Sequence, residues 1–300
     1  MPALMQRLRG AWNGLGGTGP TLVLFLPPAL LVFTIFVVLP VGEAAWYSLF
    51  RWDGFGKPTD FIGLRNYTDL FGSRIFGIAL KNNLLIIVAS LLVQLPLALA
   101  MALILAERIP AAPMFRMIFF LPYILAEIAA GLIWRFVYDG DYGLIASIAQ
   151  FFGTTAPHVL ADPQYAEAAI LSVIVWKYFG FHMMLYIAGL QAIDSDLYAA
   201  ARVDGATRWQ VLRRIKLPLL KPTLKLSMFF AVLGSFQLFD LVMPMTRGGP
   251  SDSTQTMVSY LYSYGITRTR IGFGSAIGVV LFFICVAFAV FYKRKVMRDD

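Results

Sequence analysis

Charge is scarce in this chain, and so are the groups that covalent or metal chemistry needs. Only 14% of its 300 residues are Asp, Glu, Lys or Arg, where a soluble domain carries about a quarter. A single cysteine, Cys285, excludes an intrachain disulfide. The two histidines, His158 and His182, lie far apart, neither has a second ligand near it in sequence, and no metal site is expected. No Gly-Lys-Ser/Thr phosphate loop, cysteine pair or Ser-His-Asp arrangement can be picked out. No catalytic residue is therefore expected, and the chain should not hydrolyse ATP alone. Internal repeats, low-complexity tracts and a second soluble domain are missing as well.

What remains is apolar: 59% of the residues are hydrophobic. A helix needs about 20 such residues to cross the hydrocarbon layer of a membrane. Six runs qualify, at roughly 21–41, 79–106, 115–138, 166–190, 224–245 and 271–292. They imply an all-α polytopic membrane protein with six transmembrane helices. Residues 1–20 form a segment before the first span, 21–292 the six-helix domain, and 293–300 a tail. The first 20 residues are basic and Gly-rich, the run after them is too long for a signal-peptide core, and no small-x-small cleavage site follows, so the first helix is expected to be retained. Pro27, Pro28, Pro96 and Pro122 fall inside helices. Lipid offers no water to a freed carbonyl, so each break must be buried by neighbouring helices or line a cavity.

The formal charge of +8 reads first as positive-inside bias, not as nucleic-acid binding. Arg7, Arg9, Arg108, Arg116, the basic residues from Arg202 to Lys225, and the cluster from Lys293 to Arg298 fall in one set of connections. The other set is poorer: the 139–167 loop has no Lys or Arg at all. Both termini and the loop 192–222 should therefore face the cytoplasm, with the 51–81, 139–167 and 247–270 loops outside.

The stretch 198–222, YAAARVDGATRWQVLRRIKLPLLKP, is long, basic and patterned. Asp194-Ser195 can cap a short helix, and Gly205 can take a positive φ and turn the chain. Thr207 and Gln210 have capping-box spacing for a second, amphipathic helix that Pro218 and Pro222 are expected to end before the fifth span. The residues alone leave two readings. One is an interfacial helix held by anionic lipid, at about 1 kcal/mol per basic residue. The other is a socket for a cytoplasmic protein.

The same residues resemble the EAA loop of the membrane subunits of binding-protein-dependent ABC importers. Ala200-Ala201, Asp204-Gly205-Ala206, Ile215, Leu217-Pro218 and Pro222 carry the match. The usual Glu is Ala199 here, which removes one polar anchor and shifts docking toward Arg202, Arg208 or Asp204. The 61–67 stretch FIGLRNY, the span from Trp176-Lys177 to Gly189-Leu190, and Thr246-Arg247-Gly248-Gly249-Pro250 look like the sugar-importing branch, which includes permeases for maltose, other oligosaccharides and glycerol 3-phosphate. The resemblance implies a type I ABC importer permease fold in a bacterial inner membrane. The implied partners are a second permease subunit, a cytoplasmic ATPase dimer, an extracytoplasmic substrate-binding protein and membrane lipid. ATP and Mg would sit on the ATPase, and this chain would bind no cofactor. The coupling residues it implies are Ala199, Ala200, Ala201, Asp204, Gly205, Ala206 and Arg208.

Counting from the helix ends places Gln94, Glu127, Lys177, Tyr178, Gly234 and Ser235 near the midplane, with His182, Gln237 and Asp240 about a turn away. Glu127 and Lys177 have two readings: a buried ion pair locking the third span to the fourth, or a lysine that meets substrate. A Lys after this Trp is common in the family, so it carries no argument for an anionic cargo. Tyr178, Phe181, Phe236 and Phe239 can stack on sugar faces or simply pack. The resemblance places the translocation path along the middle of the fourth and fifth spans, hence Lys177, Tyr178, Phe181, Gly234, Ser235 and Leu238. The rival reading, motivated by Glu127, Lys177 and Asp240 inside the membrane, is a secondary transporter or channel driven by an ion gradient.

Overall fold

The computed structural model of the protein describes residues 18–107 and 109–297. The expected N-terminal segment falls outside the described residues up to position 17, as do Arg108 and the last three residues. Helix α1 (Thr18–Phe33) runs through a widened π turn at Thr34–Val38 into α2 (Leu39–Tyr47). A two-strand hairpin pairs β1 (Phe50–Arg51) with β2 (Asp60–Phe61) antiparallel, with Phe50 opposite Phe61. Helix α3 (Arg65–Phe71) precedes α4 (Arg74–Ala89), whose π turn at Ser90–Gln94 leads into α5 (Leu95–Leu105). Next come α6 (Ala112–Ile124), α7 (Glu127–Val137), α8 (Leu144–Phe151) and the long α9 (Pro163–Gln191). Then α10 (Ser195–Val203), α11 (Arg208–Val211), a π turn at Leu212–Lys216 and α12 (Leu217–Gln237). Finally α13 (Val242–Thr246), α14 (Met257–Tyr260), a π segment at Leu261–Ile266 and α15 (Ile271–Lys295) complete the chain.

Five helices are long and apolar enough to span a membrane, and six if α6 and α7, bent by 96° at their junction, count as one broken span. The third of the expected runs is thus a corner, not a rod. The fifth is also displaced. Instead of 224–245, one helix covers Arg208–Gln237, and Pro218 and Pro222 do not end it. For Pro218 the reason is local. Leu217 N–H bonds back to Leu212 O, five residues away, so the widened turn moves the carbonyls off the pyrrolidine ring that would otherwise clash with them. The same device precedes Pro40, where Leu39 N–H bonds to Thr34 O, and Pro96, where Leu95 N–H bonds to Ser90 O.

Helix α9 is the hub and packs against α5, α6 and α12. Ala98 and Ala102 on α5 are fully buried against Met183, Tyr186 and Ile187 of α9. Small side chains let helices approach closely where lipid supplies no hydrophobic drive. Gly180 makes the α6–α9 crossing possible: a Cβ there would lie 2.0 Å from Phe119 O. A second cluster joins Ile86, Ala130, Ile170, Val173 and Leu241, and a third joins Leu70, Phe76, Tyr260, Phe273 and Ile277. The connections expected on one side do meet. Gly272 N–H donates to Trp52 O at 3.0 Å, and Asn82 Nδ2 donates to the carbonyls of Ser253 and Gln255 at 2.6 and 2.9 Å. At the other end Lys216 reaches Glu107 at 3.4 Å. The stretch 24–38 is exposed along its length, with Leu24, Phe25 and Phe36 among its bare side chains.

Candidate functional site

Two helix breaks frame the site. Where α6 ends, Leu125 and Ala126 are extended, and the carbonyls of Pro122, Tyr123 and Leu125 lose their helical partners. Lys177 of α9 supplies replacements: its Nζ donates to them at 2.9, 3.1 and 2.5 Å. A cation at a helix C-terminus also meets the negative end of the helix dipole. Lys177 is 1% exposed, and this is how a buried ammonium is satisfied without a carboxylate. The expected ion pair with Glu127 does not form. Glu127 opens α7, where the helix dipole favours an anion, and accepts from Tyr178 OH at 2.7 Å.

The second break follows α12. Leu238 is extended, and the freed carbonyls are again met from elsewhere in the fold. Asn83 Nδ2 donates to Ser235 O at 2.5 Å, its Oδ1 accepts from Met257 N–H at 2.9 Å, and Thr256 Oγ1 donates to Leu238 O at 2.7 Å. Irregular backbone at membrane depth is tolerated only where protein buries it or a cavity borders it, and both conditions hold here.

Between the breaks lies a cavity of about 530 Å³. Tyr178, Phe181, Gly234, Ser235 and Leu238, which the resemblance put on the translocation path, line it. Lys177 does not; its ammonium is sunk in the α6 break. Gly234 faces open space, with nothing within 4 Å of an added Cβ. Gln94 and Glu127, placed near the midplane by counting, and His182, Gln237 and Asp240, placed about a turn away, are also on the wall. Tyr123, Ser90 and Phe230 were not foreseen. Pro96 was the available signal for Ser90, because the π turn before it presents Ser90 and Gln94, and π bulges often mark functional positions. Tyr123 stacks on Phe181 with ring centroids 4.9 Å apart. His182 Nδ1 and Tyr186 OH both meet Ser227 Oγ at 2.7 Å, which ties α9 to α12 beneath the cavity. Phe236 and Phe239 are packing residues: the first is in the core, and the second lies against Tyr262.

At the far end of α12 the chain makes the expected bend. Asp194 caps α10 by accepting from Asp196 N–H at 2.9 Å. The helix closes with Gly205 N–H to Arg202 O at 3.1 Å and Ala206 N–H to Ala201 O at 2.9 Å, the paired bonds of a Schellman cap. Gly205 has φ +75°, which explains why glycine stands there. Thr207 and Gln210 form the capping box. Ala199, Ala200, Asp204, Gly205 and Arg208 are exposed, Ala206 is half-buried, and Ala201 packs inward. Among the large apolar side chains of the bend, Val203 and Trp209 are the most exposed, at 88% and 65%. A cleft of about 670 Å³ beside the bend is lined by Glu107, Tyr198, Arg202, Arg208 and Lys216. Burial there pushes the Tyr198 phenol above its ordinary value.

The profile of the family "Binding-protein-dependent transport system inner membrane component" matches residues 94–296. The chain is similar to the probable ABC transporter permease protein YurN of Bacillus subtilis, at 34% identity over 90% of this chain and 94% of the relative. It is similar to the sulfoquinovosyl glycerol transport system permease protein SmoG of Agrobacterium fabrum, at 34% identity over 93% and 91%, and to the trehalose/maltose transport system permease protein MalF of Thermococcus litoralis, at 33% identity over 90% and 92%. Among solved structures, a chain of a bacterial ABC transporter that imports the acidic polysaccharide alginate shares the fold, with TM-score 0.82 over 99% of both chains at 23% identity.

Proposed function

Since the chain belongs to the family of binding-protein-dependent transport system inner membrane components, we propose that it is one of two permease subunits of an ATP-driven importer of a sugar, oligosaccharide or sugar derivative. A soluble binding protein delivers the cargo on the side of the β1–β2 hairpin. A cytoplasmic ATPase dimer, which holds the ATP and Mg, grips the bend around Asp204. Both termini and the bend face the cytoplasm, in keeping with the basic residues gathered there.

One observation carries this reading: the bend and the cavity wall belong to one helix. The 30-residue run Arg208–Gln237 begins at the exposed turn and carries Gly234, Ser235 and Gln237 of the cavity wall in its last turn. At about 1.5 Å per residue, that run is long enough to transmit displacement of its first turn to the cavity. Closure of the ATPases would draw the bend inward and open the cavity outward; hydrolysis would reset it. Glu127, Tyr178 and the aromatic pair Tyr123–Phe181 would hold the cargo, while Lys177 would keep the α6 corner in place. No bond of the cargo is made or broken by this subunit. Among its relatives, SmoG is named for sulfoquinovosyl glycerol and MalF for trehalose and maltose, and these names point to carbohydrate.

Site-directed cross-linking tests the assembly. With Cys285→Ser as background, a thiol at Val203 should cross-link to the ATPase subunit in the purified complex, and one at Gly234 should not. A bend that cross-links to nothing contradicts the proposal.

A further inference from the structure

The cavity wall carries one sign of charge. Its lining holds two carboxylates, Glu127 and Asp240, and among the described lining residues no Lys or Arg. Lys177, adjacent in sequence to Tyr178, is unavailable to a ligand because its ammonium is committed to three backbone carbonyls. Neither carboxylate is paired with a cation within 4.0 Å among the described residues. Charges bordered by low-dielectric walls interact more strongly than in bulk water, and clefts of one sign focus the field. An anion entering here meets two carboxylates on this wall, while the nearest cation of the cavity, Lys177, lies behind the rings of Tyr123 and Tyr178, 5.8 and 5.9 Å from their centroids, with its donors turned to the α6 carbonyls. A hydroxyl donor meets the opposite situation. Carboxylate oxygens are strong acceptors, Gln94 and Gln237 add amides, and the stacked rings of Tyr123 and Phe181 offer apolar faces for the C–H side of a sugar ring.

We infer that the cargo of this cavity is an uncharged, hydroxyl-rich carbohydrate, and that Glu127 and Asp240 make this wall reject sugar acids and sugar phosphates. The inference rests on the importer reading and narrows its cargo.

Gly234 allows a direct test, since a side chain there meets open space. The assembled complex carrying Cys285→Ser and Gly234→Cys is treated with methanethiosulfonate reagents that bear either a trimethylammonium or a sulfonate group. After correction for their rates with a free thiol, the cationic reagent should react about tenfold faster or more, as two nearby carboxylates dictate. Glu127→Gln with Asp240→Asn should bring the ratio close to unity. Equal rates in the parent, or a faster sulfonate, overturn the inference. In vesicles holding the complete transporter, a panel of neutral oligosaccharides is compared with the matching uronic acids. Import of neutral members alone, with the acids admitted several-fold better by the double carboxamide variant, is the expected result. Import of an acid by the parent overturns the inference and leaves the importer reading standing. Import of nothing on the panel, despite an intact rate ratio, counts against the importer reading instead.

Discussion

Lys177 Nζ donates to the carbonyl of Leu125 at 2.5 Å, across 52 residues of sequence. With its bonds to Pro122 and Tyr123, that contact lets the third span turn a corner inside the membrane without stranding its carbonyls. The lysine is thereby a support of the cavity and is not part of its lining.

Lys177→Met keeps the length of the side chain and removes the donors. Each buried carbonyl left bare costs about 1–3 kcal/mol, so a loss on the order of 3 kcal/mol is expected, read as a clear fall in melting temperature in detergent. A Lys177→Met protein that melts normally but no longer moves cargo would place the ammonium in the path.

Asn83 of α4 bridges α12 and α14, with its amide donating to Ser235 O and accepting from Met257 N–H. Asn83→Ala should cost about 2–6 kcal/mol through two unpaired buried groups. Asn83→Asp keeps the acceptor but sets a carboxyl oxygen against Ser235 O in a buried site, and should be no more stable than Asn83→Ala. Thermal melting of both variants decides, and equal stability for all three proteins would contradict the role given to this residue.

Two glycines on neighbouring helices should behave in opposite ways. Gly180→Ala drives a methyl into Phe119 O, and overpacking of this kind costs about 1–3 kcal/mol or more. Gly234→Ala enters empty space and should leave stability unchanged while altering transport. If both substitutions were neutral for folding, the tight α6–α9 crossing would be wrong.

Local chemistry made the bend legible in the sequence. Asp194, Gly205 and the Thr207–Gln210 pair act within a few residues of themselves, and each does in the structure what its spacing predicts. Apolar run length likewise gave the spans, because bilayer thickness fixes it. The corner at Leu125–Ala126 left no such trace. Pro122 and Glu127 flank it, but neither marks a corner by itself, and the group that stabilises it lies on another helix. Charge matching suggested Glu127 for Lys177, because side chains are visible in a sequence and freed carbonyls are not. Pro218 misled for a related reason: a proline signals a disturbed hydrogen-bond ladder but does not reveal that a π turn will absorb it, and Pro222 simply lies inside α12.

The mechanical link between bend and cavity is tested most directly by Gly205→Pro in a reconstituted transporter. Gly205 holds φ +75° and donates its N–H to Arg202 O, and proline, fixed near φ −65° without an N–H, can do neither. Substrate uptake and ATP hydrolysis are measured together. Uptake lost, with hydrolysis no longer responding to the loaded binding protein, is the result this account predicts; uptake and stimulated hydrolysis at parental levels would contradict it.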